Sequence, residues 1–242
     1  EKWAASVAGR GPPLKANWER LRDSGTTIVA CNAACQFLLA RGVVPKYMFC
    51  FDADPLAYEF FTPHPDITYL IASRCPLKVW EILNGCKIVC WHSAGDEHIQ
   101  DILEKHNRME PMITGGSAAV TRAMILVQPM GFDEVHVWGG DSSFSGSDTH
   151  IRKSTTEERR IQIKVNKRVF ETAPWMAQQA EDFKVLIETF FKRYNMKLVV
   201  HGDGLIPHIA KTMGIKVDNG EPAYVHFFRE IIFKYRLLWK HL

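Results

Sequence analysis

Long apolar runs are missing from this sequence. No stretch reaches the roughly 18 residues that a membrane-spanning helix needs, and no charged-then-apolar leader stands ahead of the first motif. The expectation is a cytoplasmic protein with no transmembrane segment. Charge of one sign is also scarce: 30 Lys and Arg against 27 Asp and Glu leave a net +3. That surplus is too mild to indicate nucleic acid, and the single basic cluster has no interleaved aromatics for base stacking. Cysteine is sparse for the length. The six thiols (Cys31, Cys35, Cys50, Cys75, Cys86 and Cys90) include no C-x-x-C pair, which argues against a disulfide scaffold and predicts reduced core residues. The histidines show neither H-E-x-x-H nor Cys/His ligand spacing, so no zinc is expected.

What is present is the alternation of an α/β protein. The 242 residues, 46% hydrophobic and 24% charged, suffice for one large packed domain, placed at 1–218, with a C-terminal helical appendage at 219–242. Short apolar runs predict strands at Ala4–Ala8, Thr27–Cys31, Tyr47–Phe51, Thr68–Ala72, Lys87–Cys90, Glu134–Trp138 and Lys197–His201. Between them, helical spacing predicts Leu14–Leu21, Ala33–Ala40, Pro76–Leu83, Glu97–Lys105, Ser117–Met130, Pro174–Tyr194 and Leu205–Met213. This rhythm implies a Rossmann-like, mainly parallel sheet with helices on both faces. The polar and then basic stretch Ser142–Arg168 breaks it and reads as a long loop or lid. From Tyr224 to Leu242, apolar residues recur at spacings of three and four. An amphipathic helix is predicted there, docked on the parent domain, joining copies in a homo-oligomer or lying on a membrane surface.

In such sheets ligands gather beyond the carboxyl ends of the strands, which singles out several groups. Gly9-Arg10-Gly11-Pro12 is a strand-turn-helix junction of the kind that seats phosphate, although turn chemistry alone also explains it. Asn32 is positioned to contact a ligand or to cap the next helix. Asp52 and Asp54 lie two residues apart, on one side of an extended chain, where they suit Mg²⁺ or ribose hydroxyls. Gly115-Gly116-Ser117 at a helix start is a second candidate anion site, with Ser117 or Thr114 as a capping alternative. Gly139-Gly140-Asp141-Ser142 ends a strand in an acid, and Asp141 and His150 are the candidate proton-transfer residues. Arg152, Lys153, Arg159, Arg160, Lys164, Lys167 and Arg168 form the basic cluster, suited to a diphosphate or simply solvated. Gly202-Asp203-Gly204 repeats the edge pattern.

Taken in order, A-G-x-G-P-x-L from Ala8, C-N at Cys31, D-x-D-P from Asp52, T-G-G-S from Thr114 and G-G-D-S-S-F from Gly139 resemble the MptE-like family. That family is named for an archaeal 6-hydroxymethylpterin diphosphokinase and includes motility accessory factors and phage and bacterial proteins. The likeness runs from about Val7 to Met213. The chain is more distantly similar to bacterial sialyltransferases that use a CMP-linked donor. The resemblance implies a nucleotide- or nucleotide-sugar-binding domain with Gly9, Gly11 and Pro12 at the phosphate, Asn32 near the nucleotide, and Ser117 approaching phosphate or sugar. It implies a transferase acting at a diphosphate with ATP and Mg²⁺, a glycosyltransferase using a CMP-type donor, or a nucleotide-binding module without catalysis. Pro13 stands where the pattern has Ser and Arg10 where the sialyltransferases have Asn. Their histidine ahead of a late helix is replaced by the stretch Glu171-Thr172-Ala173-Pro174-Trp175.

Overall fold

The computed structural model describes residues 3–95, 97–144 and 159–220. His150, Arg152, Lys153 and the helix expected at Tyr224–Leu242 lie outside them. The elements are β1 (Ala4–Ala8), α1 (Pro12–Arg22), β2 (Thr27–Cys31), α2 (Ala34–Leu39), β3 (Tyr47–Cys50), β4 (Thr68–Ala72), α3 (Leu77–Ile82) and β5 (Lys87–Ser93). They continue with α4 (Glu97–Lys105), β6 (Met112–Ile113), α5 (Ala119–Leu126), β7 (Glu134–Trp138), β8 (Ile161–Val165), β9 (Arg168–Thr172), α6 (Pro174–Leu186), β10 (Lys197–His201), α7 (Leu205–Thr212) and β11 (Lys216–Asp218).

Nine strands form one sheet in the order β11-β10-β7-β1-β2-β3-β4-β5-β6, every pair parallel. Parallel strands covered on both faces must be apolar throughout, which is why β1, β2 and β4 are buried at every position after the first. From β1 the chain builds outward through β6, then crosses back to β7 on the other side of β1. Right-handed crossovers therefore put α1–α4 on one face and α5–α7 on the other. In keeping with this, α5 packs on β1, β2 and β3, while α1 lies against β7. The direction of winding reverses between β1 and β7, and a crevice opens where the loops leaving two such strands part in opposite directions.

Three expectations need correction. The stretch read as a lid, Ser142–Arg168, ends in strand: Ile161–Val165 pairs antiparallel with Arg168–Thr172, turning at Asn166 with φ 53. Ile161, Ile163 and Val165 alternate with Gln162 and Lys164, so the period of two lay beneath the basic charge. Arg168 ties the hairpin to the turn before α7 through Asp203 at 2.5 Å. Secondly, the helix begun at Pro174 passes at Ile187–Phe191 into a π turn and does not run on as one regular helix to Tyr194. Thirdly, Cys90 is exposed and Cys86 only half-buried, because β5 is flanked on its outer side by the two-residue β6 alone. All six thiols are free, and the Cys75 Sγ lies 3.9 Å from that of Cys50.

A polar chain runs beneath α1. Trp138 stacks on His201 at 3.5 Å between centroids, His201 Nε2 meets His136 Nδ1 at 3.0 Å, and His136 Nε2 meets Glu134 at 3.0 Å. Arg20 of α1 reaches Asp218, which also accepts from Gly220 N–H at 3.0 Å and lies 3.6 Å from His201 Nδ1. Burial pushes the His201 imidazole down to about 3, despite the opposing pull of Asp218. The unfolded chain takes up this proton near pH 6.5, whereas the folded one refuses it until about 3. The contribution of neutral His201 is therefore complete above about pH 6.5 and drains as pH falls, by up to about 1.4 kcal/mol per unit. His201→Gln is expected to flatten the fall in urea-measured stability between pH 7 and 5; a slope matching wild type would refute the burial argument.

Candidate active site at the sheet reversal

The loops at the reversal line a cleft of about 430 Å³. β1 supplies Gly9, Arg10, Gly11 and Pro12; β2 supplies Asn32; β3 supplies Asp52 and Asp54. From the other side come Ser117, ahead of α5, and Gly139, Gly140, Asp141 and Ser142 from β7. The sequence candidates thus converge, with Gly115 and Gly116 set behind Ser117.

The glycines at the reversal close a seam between two loops. Gly9 N–H donates to Trp138 O at 2.7 Å and Gly11 N–H to Gly139 O at 2.9 Å. A Cβ on Gly11 would sit 2.6 Å from Gly139 O and 2.4 Å from Asp141 Oδ2. Gly139, at φ 67, would place one 2.5 Å from Gly9 O. Pro12 and Pro13 open α1 and carry no N–H. The amides of Gly9 and Gly11, expected to face a phosphate, are thus engaged across the seam.

Asn32 adopts φ 49, its N–H donating to Phe49 O at 3.0 Å, and its buried Oδ1 has no hydrogen-bond partner among the described residues. Asp52 Oδ1 accepts from Asp54 N–H at 3.0 Å, and Asp54 Oδ1 accepts from Leu56 N–H at 2.8 Å, capping a short 3₁₀ helix. The second oxygen of each carboxylate makes no hydrogen bond among the described residues. Among the described residues no group of three or more His, Cys, Asp or Glu is placed to hold a metal. The pair suits Mg²⁺ only as a two-carboxylate site completed by phosphate and water oxygens.

Ser117 is already coordinated. Its N–H and Oγ both donate to Asp182 Oδ2, at 2.8 and 2.7 Å, and a Cβ on Gly116 would strike Asp182 at 2.5 Å. Burial raises the Asp182 carboxyl, but the Ser117 and Gln178 hydrogen bonds and the nearby Arg122 outweigh it and hold the group below its usual range. The loop is an anion site whose anion is a side chain of α6. The helix consequently starts at Ala119, two residues later than expected.

Asp141 is only 5% exposed, and neither of its carboxyl oxygens has a partner among the described residues. It is wedged between Gly11 on one side and Gly202 and Gly204 on the other. Burial pushes it up to about 8, with Asp203 adding to the rise. At neutral pH it holds a proton. Ser142 beside it adopts φ 49 and donates from Oγ to Gln179 Oε1 at 3.1 Å.

A model of the family described as 6-hydroxymethylpterin diphosphokinase MptE-like matches residues 2–147, which span β1 to β7 and every cleft loop of the sheet. The chain belongs to the MptE-like family. The match ends before the hairpin, short of the Met213 to which the likeness was expected to run. No curated protein matches this MptE-like chain in sequence. Among solved structures it is similar to the Maf glycosyltransferase of Magnetospirillum magneticum AMB-1, with TM-score 0.64 and 14% identity over 90% of this chain and 33% of that one. A mammalian sialyltransferase in complex with Gal-beta-1-3GalNAc-ortho-nitrophenol gives TM-score 0.45 and 12% identity over 77% of this chain and 66% of that one. The chain thus spans about a third of the length of the Maf protein, and the likeness to it establishes the fold.

Several cleft residues of this MptE-like protein were not singled out from sequence. Arg74 follows β4 directly, the position that had drawn attention to Asn32 after β2 and Asp52 after β3, so the same rule finds it. Trp175 and Gln179 line the cleft from α6, and Asp182 of the same helix holds Ser117; apolar spacing explains that helix and nothing local marks its polar face.

Proposed function

We propose that this protein is a nucleotide-dependent transferase, with Asp141 as the group that handles the proton. The observation that carries this reading is Asp141 itself: a buried carboxyl, unpartnered among the described residues, on the cleft wall at the sheet reversal. Such an arrangement costs stability and serves chemistry. Asn32 Oδ1 offers an acceptor to the nucleoside, and Arg10 and Arg74, the cations lining the cleft, take the phosphates in place of the engaged glycine amides. Asp52 and Asp54 would hold Mg²⁺ against phosphate oxygens, where the metal neutralises charge on the leaving group.

In the transfer step an acceptor hydroxyl attacks the donor. Its proton passes to ionised Asp141 as the new bond to oxygen forms, while the bond from the transferred group to the departing phosphate breaks and the phosphate keeps the electron pair. The likeness to the Maf glycosyltransferase supports a glycosyl group, and the family description supports diphosphate. A thermal-shift screen with ATP, GTP, CTP, CMP and nucleotide sugars, with and without Mg²⁺, separates them, because a bound ligand raises Tm. A CMP or nucleotide-sugar response means glycosyl transfer, and a Mg²⁺-dependent ATP response means diphosphate transfer. Silence across the panel defeats the proposal and leaves a binding or assembly module.

A further inference from the structure

Beside the main cleft lies a second cavity of about 420 Å³, lined by Arg74, Ser93, Ala94, Gly95, Glu97 and Arg122. Arg74 belongs to both walls and makes the two spaces neighbours. Arg122 is fixed from below: its Nε donates to Gly116 O at 2.8 Å, and its Nη1 to Ser93 Oγ at 2.8 Å and Ile113 O at 2.9 Å. Its guanidinium carbon rests 4.6 Å from the centroid of the Phe51 ring, and that of Arg74 lies 5.6 Å from the same ring. Phe51 thus carries two guanidiniums. Arg74 makes no hydrogen bond or ion pair with the described residues, so it carries donors that this packing leaves unused.

Two cations set against one ring repel each other, and burial together with the charge of Arg74 weakens the hold of Arg122 on its proton. The nearby carboxylates do not resolve this. Asp182 faces Arg122 but is engaged by Ser117 and Gln178, and Glu97 lines the cavity as an exposed group with no ion pair to either arginine. A preorganised guanidinium beside a second one with free donors forms a receptor for a planar or tetrahedral oxyanion, and the Ser93 hydroxyl, accepting from Arg122 and donating to Ala94 O, braces it. We infer that the Arg74–Arg122 cavity is an anion subsite, taking a carboxylate or phosphate group either free or as part of a ligand whose remainder fills the main cleft. This inference shares Arg74 with the nucleotide reading but does not rest on it, since Arg122 and the Ser93–Gly95 wall lie outside the main cleft.

The test uses the whole chain without nucleotide. Tm is followed against inorganic phosphate and, separately, against lactate, with ionic strength held constant by NaCl. A saturable rise is expected with one of them, and which one responds tells phosphate from carboxylate. Arg74→Gln is expected to weaken that response at least tenfold, and Arg74→Lys, which keeps the charge but loses the planar fork, to fall between. Arg160→Gln, in the hairpin, keeps the wild-type response. The inference is overturned if neither anion gives a saturable rise, or if Arg74→Gln responds as wild type does. Nucleotide binding is scored independently, so either reading can fail alone.

Discussion

Asp141→Asn is expected to make the protein more stable and inactive. The folded chain holds the Asp141 proton up to about pH 8, whereas the unfolded chain releases it near 3.8. The native state therefore binds the extra proton between those values, and stability falls as pH rises through that window, by about 1.4 kcal/mol per unit at most. Asn keeps the shape and has no charge to bury. Its advantage over wild type is expected to be near zero at pH 4 and to grow to a few kcal/mol, on the order of what burying an unpaired carboxylate costs, above pH 8. Turnover is expected to drop at least about a hundredfold, the usual scale for a lost general base. In wild type the rate is expected to climb with pH and to level near 8, as Asp141 ionises. Tm measured from pH 4.5 to 9 for both proteins decides the first part. A constant difference across that range would mean that Asp141 is not the group losing its proton there.

The second large effect is expected at Gly11. Its φ of −66 suits any residue, so Gly11→Ala introduces no backbone strain and tests space alone. The new methyl would press on Gly139 O at 2.6 Å and on Asp141 Oδ2 at 2.4 Å. One of these neighbours is backbone in a tight seam. Overpacking of this kind costs about 3 kcal/mol. Gly25 is the comparison: at φ 70 an alanine is strained there, but nothing lies within 4 Å of the added carbon, and about 1 kcal/mol is expected. Urea titration of the two variants should rank them in that order, and equal losses would mean that the loops are not in close contact.

Much of this fold is legible in the sequence because parallel strands announce themselves. Ala4–Ala8, Thr27–Cys31, Thr68–Ala72, Glu134–Trp138 and Lys197–His201 stand at the boundaries that their apolar runs indicate. The short outer strands Met112–Ile113 and Lys216–Asp218 carry two and three residues, too few for any pattern to rise above the surrounding sequence. In the site, residues that follow strands were readable by position: Asn32, Asp52 and Asp141 all line the cleft. What was not readable is pairing over distance. Nothing near Ser117 indicates that its partner is Asp182, 65 residues on, nor near Gly9 that its amide belongs to Trp138. The role of a glycine or a serine at a helix start is decided by whichever group arrives from elsewhere in the chain.

The seam between Gly9, Gly11 and Gly139 bears on how such chains are compared with one another. A run of the form G-x-G-P invites transfer of a ligand from one protein to the next. Here the small residues are demanded by the chain itself, since any side chain at Gly11 would meet the peptide at Gly139 and the acid at Asp141. Two proteins can share this spelling because both must shut the same join, whatever each of them binds. The pattern testifies to architecture before it testifies to a ligand.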